Sequence, residues 1–280
     1  MMKSILFTFL LTGTFSLGFA QVQMPQPSPT QYIKQDFGMS SIELTYSRPG
    51  LKGRSIIGVV EPWNVVWRTG ANASTKIRFN DPVEILGHKI DSGTYALYTI
   101  PQRDGAWTFI LNKGVTNWGA DGYKQSEDVM RATVKAGKNP GKVETLTMQF
   151  SDISFDKCVL NIKWEDFSLR IPITVSIKDR IRAQIEAALQ TDKKPYWQAA
   201  QFYNEHDKNY EKALTMMNAL LAQTKSPAYY IVYYKALIQK NMGDKKGALI
   251  TSNESLALAK AAKNTAYIQL NEKLQKELKK

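Results

Sequence analysis

The sequence predicts a chain in two parts, an antiparallel β-sandwich or barrel followed by an array of α-helical hairpins. Apolar and polar residues alternate in short stretches through the first part, which is typical of half-buried strands. Turn-forming residues separate these stretches, and no helix-length segment lies between them. Near Lys178 the apolar spacing changes to that of a helix. The predicted divisions are a signal peptide at 1–20, the β part at 21–177 and the helical part at 178–280.

The first twenty residues have the pattern of a secretory signal. Lys3 precedes the apolar run ILFTFLLTGTFSLGF, and the small residues Gly18 and Ala20 suit cleavage before Gln21. We therefore expect a periplasmic or secreted protein. The same pattern predicts no transmembrane segment after cleavage of the signal.

The strand prediction depends on alternation. In SIELTYS (41–47), Ile42, Leu44 and Tyr46 share one face. Comparable stretches give eight to ten strands: STKIRFN, GTYALYTIP, AWTFILN, MRATVKA, VETLTMQFS, CVLNIKW and SLRIPITVS. Turns are expected between them, for example at residues 139–141 (NPG). Pro172 cannot donate to a ladder, so the last strand is expected to lie at an edge or to be interrupted there.

The helical part begins with an apolar stripe formed by Ile177, Ile181, Ile185 and Leu189. The segments NYEKAL (209–214) and DKKGAL (244–249) place Ala213 and Ala248 35 residues apart, close to the period of tetratricopeptide repeats. The sequence therefore favours a tetratricopeptide-like array that also leans on the β part. A plain helical bundle is the alternative.

Motifs for catalysis and metal binding are scarce. The chain has two histidines, His88 and His206, without ligand spacing, and it lacks a nucleophile elbow and a phosphate loop. Cys158 is expected to be a buried, inert thiol. We predict no metal and no cofactor, and the sequence favours a non-catalytic protein while leaving catalysis open. The carboxylates weighed for a hydrolase are those of Asp121, Glu127, Asp128, Asp152 and Asp156.

The strongest candidate site is the basic segment at residues 48–78. Six cations oppose only Glu61, and Trp63 and Trp67 lie among them. Guanidinium groups suit carboxylates and phosphates, indoles give flat faces for sugars, and a turn at Gly70 can aim backbone N–H groups at one point. The predicted ligand-binding residues are Arg48, Lys52, Arg54, Trp67, Arg68, Asn72, Tyr95, Tyr98 and Trp118. The alternative is that Trp63 and Trp67 fill one end of the sandwich while Arg68 pairs with Glu61 or Asp91.

Basic charge is concentrated in the helical part. Residues 178–280 carry 18 Lys and Arg against 10 Asp and Glu. These lysines are dispersed, as on a solvated helical surface, so nucleic acid is not an expected partner. A protein partner is expected to bind this part.

Four motifs resemble a known family. YSRPGLKGRSIIG, VVWRTGANASTKI, SGTYALYTIP and WTFILN followed by WG are similar to the secreted bacterial family catalogued as domain of unknown function 2911. The resemblance covers about residues 30–175. It implies a β-rich envelope or secreted module, here with a helical extension, and it supplies no catalytic residue.

The leading hypothesis is a binding module for a small anionic or glycan ligand, with a helical arm that docks a partner protein. The alternatives are a hydrolase that acts on envelope polymers and a structural envelope protein that docks other chains.

Overall fold

The computed structural model describes residues 24–280, and the predicted signal peptide lies outside the described residues. Ten strands precede six α-helices, as the sequence predicts. One antiparallel sheet has six strands in the order β1-β2-β3-β6-β7-β8, and the other has four in the order β5-β4-β10-β9. The strands are β1 (Thr30–Phe37), β2 (Ser40–Ser47), β3 (Thr75–Phe79), β4 (Val83–Ile85), β5 (His88–Ile90), β6 (Gly93–Ile100), β7 (Ala106–Asn112), β8 (Asp128–Lys135), β9 (Gly137–Ser151) and β10 (Lys157–Thr174).

Side chains of both sheets pack into one buried cluster. The alternation in β2 is confirmed, because Ile42, Leu44 and Tyr46 are all buried. Cys158 is also buried, and burial raises the pKa of its thiol to about 12. The opposite face of β6 and β7 carries a smaller cluster around Tyr98 and Ile110. Val66 of the β2–β3 connection and Ala120 and Tyr123 of the β7–β8 connection pack against this cluster.

Two features of the sheets differ from the sequence prediction. The sequence analysis missed β1, which pairs with β2 along its whole length and forms the sheet edge. The turn expected at residues 139–141 is a bulge inside β9. Glu165 and Phe167 are two residues apart on β10, but their partners on β9 are five residues apart, so β9 carries extra residues at this point. Asn139 Nδ2 donates to the carbonyls of both β10 residues and so replaces the missing ladder bonds.

Pro172 lies in β10, which is an inner strand of its sheet, so the expectation of an edge strand is wrong. The alternative of an interruption fits the ladder. Pairing with β9 ends at Ser168, and pairing with β4 begins at Ile173. The missing N–H of Pro172 therefore falls where β10 changes partners.

The six helices occupy the remainder of the chain. They are α1 (Lys178–Ala188), α2 (Tyr196–Gln201), α3 (Tyr210–Ala222), α4 (Tyr229–Asn241), α5 (Lys245–Ala261) and α6 (Thr265–Leu278), with a π-helical turn at Phe202–His206 after α2. Asn209, Asp244 and Asn264 cap α3, α5 and α6 through side-chain bonds to backbone N–H groups. Within residues 24–280, no helix combines the length and hydropathy that a bilayer-spanning segment requires.

Helix α1 joins the two parts. Ile181 packs against both the β cluster and the cluster of the first helices, as its place in the apolar stripe requires. Arg180 donates to both carboxylate oxygens of Asp81 at 2.9 and 2.6 Å. On the helical side, Arg182 bridges to Asp207, and the His206 ring stacks on Phe155 from the β9–β10 turn with centroids 3.6 Å apart. These contacts hold the helices against the sheets.

Candidate functional site

The connection between β2 and β3, residues 48–74, carries most of the predicted ligand residues, and the structure divides them into two groups. Arg48 and Arg54 are bound to main-chain carbonyls: Arg48 Nε lies 3.1 Å from Leu146 O, and Arg54 Nε lies 3.0 Å from Leu51 O. The Lys52 backbone N–H donates to Glu144 at 2.8 Å, while its side chain is exposed. The Arg48 side chain and the Lys52 backbone therefore tie the connection to β9, whereas Arg54 bonds within the connection itself.

Trp67 points into the core. Its indole is 3% exposed and stacks on Trp164 of β10 with ring centroids 5.6 Å apart. The backbone of Trp67 exchanges two hydrogen bonds with Thr99 of β6, and this pairing fixes the inward direction of the side chain. Trp67 therefore fills part of the space between the two sheets, which agrees with the alternative interpretation of the sequence for this residue.

Tyr95 and Tyr98 lie on opposite faces of β6. Tyr95 belongs to the main core and donates its hydroxyl to Asp91 O at 2.9 Å. Tyr98 lies on the other face, where its hydroxyl accepts from Asn117 Nδ2 at 3.1 Å. The two phenol groups therefore cannot serve one site.

Of the remaining predicted residues, Arg68, Asn72 and Trp118 lie on neighbouring segments, while Tyr98 is fully buried on the outer face of the six-stranded sheet. The side-chain amide of Asn72 is already bound, because it donates to Ser28 O and Ser47 Oγ, both at 3.3 Å. Trp118 pairs with Ala73 as an isolated antiparallel bridge, and Gly119 N donates to Asn72 O at 3.2 Å. We call the group of Glu61, Arg68, Asn117 and Trp118 the Arg68 site. The sequence analysis did not single out Asn117, because an Asn-Trp-Gly turn signal does not reveal a contact with Tyr98.

Arg68 is the central residue of this site. Its Nε is buried and has no hydrogen-bond partner in the described part of the chain. A buried donor without a partner costs about 1–3 kcal/mol, and more when it is charged. Gly119 leaves room for the guanidinium: a Cβ at this position would lie 2.8 Å from Arg68 Nη1, and the φ of Gly119 is +76°.

Glu61 lies near Arg68 without contacting it. Burial raises the pKa of the Glu61 carboxyl, and the charge of Arg68 offsets part of that rise. No ion pair within 4.0 Å joins the two side chains. The charges of the two side chains are therefore close enough to influence each other, although the groups do not form an ion pair.

Exposed apolar side chains lie on the segments that carry the Arg68 site. Trp118 is 70% exposed, and Val59, Val60 and Val65 are exposed on the segment that carries Glu61. An exposed indole beside donors and acceptors gives a flat surface on which a sugar ring can stack.

The carboxylates considered for hydrolysis have separate environments. Asp128 accepts from Asn112 Nδ2 at 2.8 Å, from the Tyr123 hydroxyl at 2.7 Å and from Arg131 Nε at 2.9 Å. Burial and the hydrogen bond to Asp128 raise the pKa of Tyr123 to about 12, against a smaller opposite effect of Arg131. The other acids are spread over the surface: Glu127 pairs with Lys124, Asp152 pairs with Arg170, Asp121 is exposed, and Asp156 lies at the junction with the helices.

Glu165 is a buried carboxylate that the sequence analysis missed. It accepts from the Ser55 hydroxyl at 2.9 Å and from the backbone N–H groups of Ile56 and Ile57, both at 3.1 Å. Burial raises the pKa of Glu165, but these bonds and the charge of Lys142 outweigh it and hold the pKa below its usual value. Glu165 fixes the connection that carries Glu61. Its position inside a strand-like stretch gave no signal of this role.

No group of three or more His, Cys, Asp and Glu side chains within residues 24–280 is arranged to hold a metal ion. The ten strands, with the β2–β3 connection folded over them, define a β-rich protein with a helical extension. The chain belongs to the family described as "Protein of unknown function (DUF2911)", whose model matches residues 28–173. The match covers nearly all of the β part, and the helices lie outside it. Neither the curated proteins nor the solved structures include a match to this chain.

Proposed function

We propose that the protein is a non-catalytic binding module of the periplasm or of the secreted fraction, and that it holds a glycan at the Arg68 site. The two sheets would act as a β-sandwich scaffold, and the helices as a tetratricopeptide-like arm. The observation that carries the proposal is the buried, unpartnered Nε of Arg68, whose guanidinium lies against Gly119, the residue that follows the exposed Trp118.

Glu61 favours a glycan over an anion. A sugar hydroxyl both donates and accepts, so a pair of hydroxyl groups can bridge the Glu61 carboxylate and the Arg68 guanidinium. An anionic ligand would satisfy Arg68, but the nearby carboxylate would repel it. Stacking of the sugar ring on Trp118 would add apolar contact.

Binding of a neutral and an anionic glycan panel to the mature protein tests the proposal. We expect a neutral glycan to bind with little dependence on salt, because salt screens interactions between charges and a neutral ligand has no net charge. Arg68→Lys and Trp118→Ala should each weaken binding at least tenfold while the protein stays folded. Arg78→Ala, which removes an exposed arginine of the same sheet, is the matched control and should bind normally. Binding of anions alone, or of no panel member, would overturn the glycan assignment.

The raised pKa of the Glu61 carboxyl keeps the hydrolase alternative open, since a raised pKa is what a carboxyl group needs to act as a general acid. Glycoside hydrolysis requires a second carboxyl group about 5–10 Å away. Incubation of the same glycans with the wild-type protein and with Glu61→Gln distinguishes the functions. Cleavage that the substitution abolishes would favour the hydrolase.

Two observations support the tetratricopeptide-like arm. Ala213 and Ala248 are both fully buried, and each follows a capping residue by four positions in its own helix, α3 or α5. The net positive charge of residues 178–280 would favour an acidic protein partner. Charge reversal at the exposed Lys245 and Lys246 should then weaken capture of that partner by the full chain, and weaken it less at high salt.

A further inference from the structure

A cavity lies where the four-stranded sheet meets α1, and no residue of the Arg68 site lines it. Its volume is about 710 Å³, within the range of about 300–1,000 Å³ that small-ligand pockets occupy. Residues of β4, β5, the ends of β10 and the first turns of α1 line it. We call it the junction cleft. Cavities between structural units are a common location of ligand sites.

The junction cleft combines an apolar base with charged walls. Val83, Ile90, Val175 and Ile177 contribute buried apolar side chains to its lining. Six charged side chains of both signs line the walls without forming ion pairs: Glu84, Lys89, Asp91, Asp156, Lys157 and Lys178.

The absence of ion pairs among these six residues of the described chain is informative. Glu84 and Lys89 are directly opposite each other in the β4–β5 hairpin, yet they are not within 4.0 Å. The lining also includes Asp179 and Arg182, and these two are paired: Arg182 is bound by Asp179 and by Asp207. Opposite charges thus surround the cavity and remain available to a ligand.

The walls of the cleft are fixed. Val175 N donates to Asp156 O at 3.0 Å, and Thr174 pairs with Glu84 across the β10–β4 ladder. The ion pair between Arg180 and Asp81 holds α1 against the sheet beside the cavity. A site with fixed walls loses less conformational entropy when it binds a ligand.

We propose that the junction cleft binds a short apolar peptide with free termini. Such a molecule carries one ammonium and one carboxylate group on an apolar body, which matches the acids, the lysines and the apolar base of the cavity. Lys157 and Lys178 would hold the carboxylate, and Asp91 and Asp156 would hold the ammonium group. This proposal is independent of the glycan site.

Calorimetric titration of the full mature chain with Leu-Leu, and with the same dipeptide acetylated and amidated, tests the proposal. We expect the free dipeptide to bind, and blocking both termini to weaken binding at least tenfold. Blocking one terminus should cause an intermediate loss.

Variants locate the binding. Lys157→Gln combined with Lys178→Gln should weaken Leu-Leu binding at least tenfold, whereas the exposed Lys135→Gln and the glycan-site variant Arg68→Lys should leave it unchanged. Asp91→Asn, at an exposed position, is the second variant if the double lysine change lowers thermal stability. No binding, equal binding of the blocked dipeptide, or loss of binding in Arg68→Lys would each overturn the proposal.

Discussion

The indole of Trp67 stacks on that of Trp164, with ring centroids 5.6 Å and planes 19° apart. This contact joins the β2–β3 connection to the opposite sheet, while Trp118 lies exposed outside the core. Trp67 and Trp118 therefore have different roles, although the sequence analysis assigned both to the ligand-binding site.

We expect Trp67→Ala to lower the free energy of unfolding by about 3–5 kcal/mol, because it empties a buried site of a large ring. Trp118→Ala should change it by no more than about 0.5 kcal/mol, since the indole is exposed. Denaturant unfolding of both variants measures the difference. Similar losses in the two variants would contradict the assignment of Trp67 to the core.

Gly119→Ala should lower stability by about 1–3 kcal/mol, because Gly119 has a φ of +76° that an alanine adopts only under strain. The new methyl group would also displace Arg68, so glycan affinity should fall. Gly141→Ala is the control: a Cβ there meets nothing within 4 Å, and the change should stay within about 0.5 kcal/mol. If Gly119→Ala left the glycan affinity unchanged, this would contradict a role of Arg68 in binding the glycan.

Glu165→Gln should destabilise the protein by about 1–3 kcal/mol at pH 7, since the carboxylate accepts three hydrogen bonds in a buried position. The folded-state pKa of Glu165 lies below its usual 4.5. Its contribution is therefore complete above the unfolded-state pKa and is lost as the pH falls through the folded-state pKa.

Urea unfolding at several pH values measures this effect. The stability difference between the wild-type protein and Glu165→Gln should shrink as the pH falls from about 5 to about 3. The exposed Glu254→Gln should show no such trend. A difference that stays constant with pH would show that the charge of Glu165 does not stabilise the fold.

Cys158 should resist alkylation in the folded protein. With a thiol pKa of about 12, only about one molecule in ten thousand carries a thiolate at pH 8, and burial also blocks access. Labelling with iodoacetamide in buffer and in denaturant, followed by mass spectrometry, measures this protection. Rapid labelling without denaturant would contradict it.

The sequence by itself determined that strands come first along the chain and helices follow, and it determined the buried faces of many of them. Alternation in β2 and the four-residue spacing in α1 are local patterns, and each directs side chains to one face whatever the rest of the chain does. The edge strand β1 escaped prediction because only one of its faces contacts the protein and its alternation is weak.

Only the tertiary structure decided which loops meet. The pairing of Trp67 with Thr99 sends Trp67 inward and Arg68 outward, and a contact between loops about fifty residues apart brings Gly119 to Arg68. The same folding brings Arg48 to the carbonyl of Leu146 in β9, while Arg54 bonds to carbonyls of its own connection. Local charge and periodicity contain no information about such pairings, because long-range register is set by packing of the whole sheet.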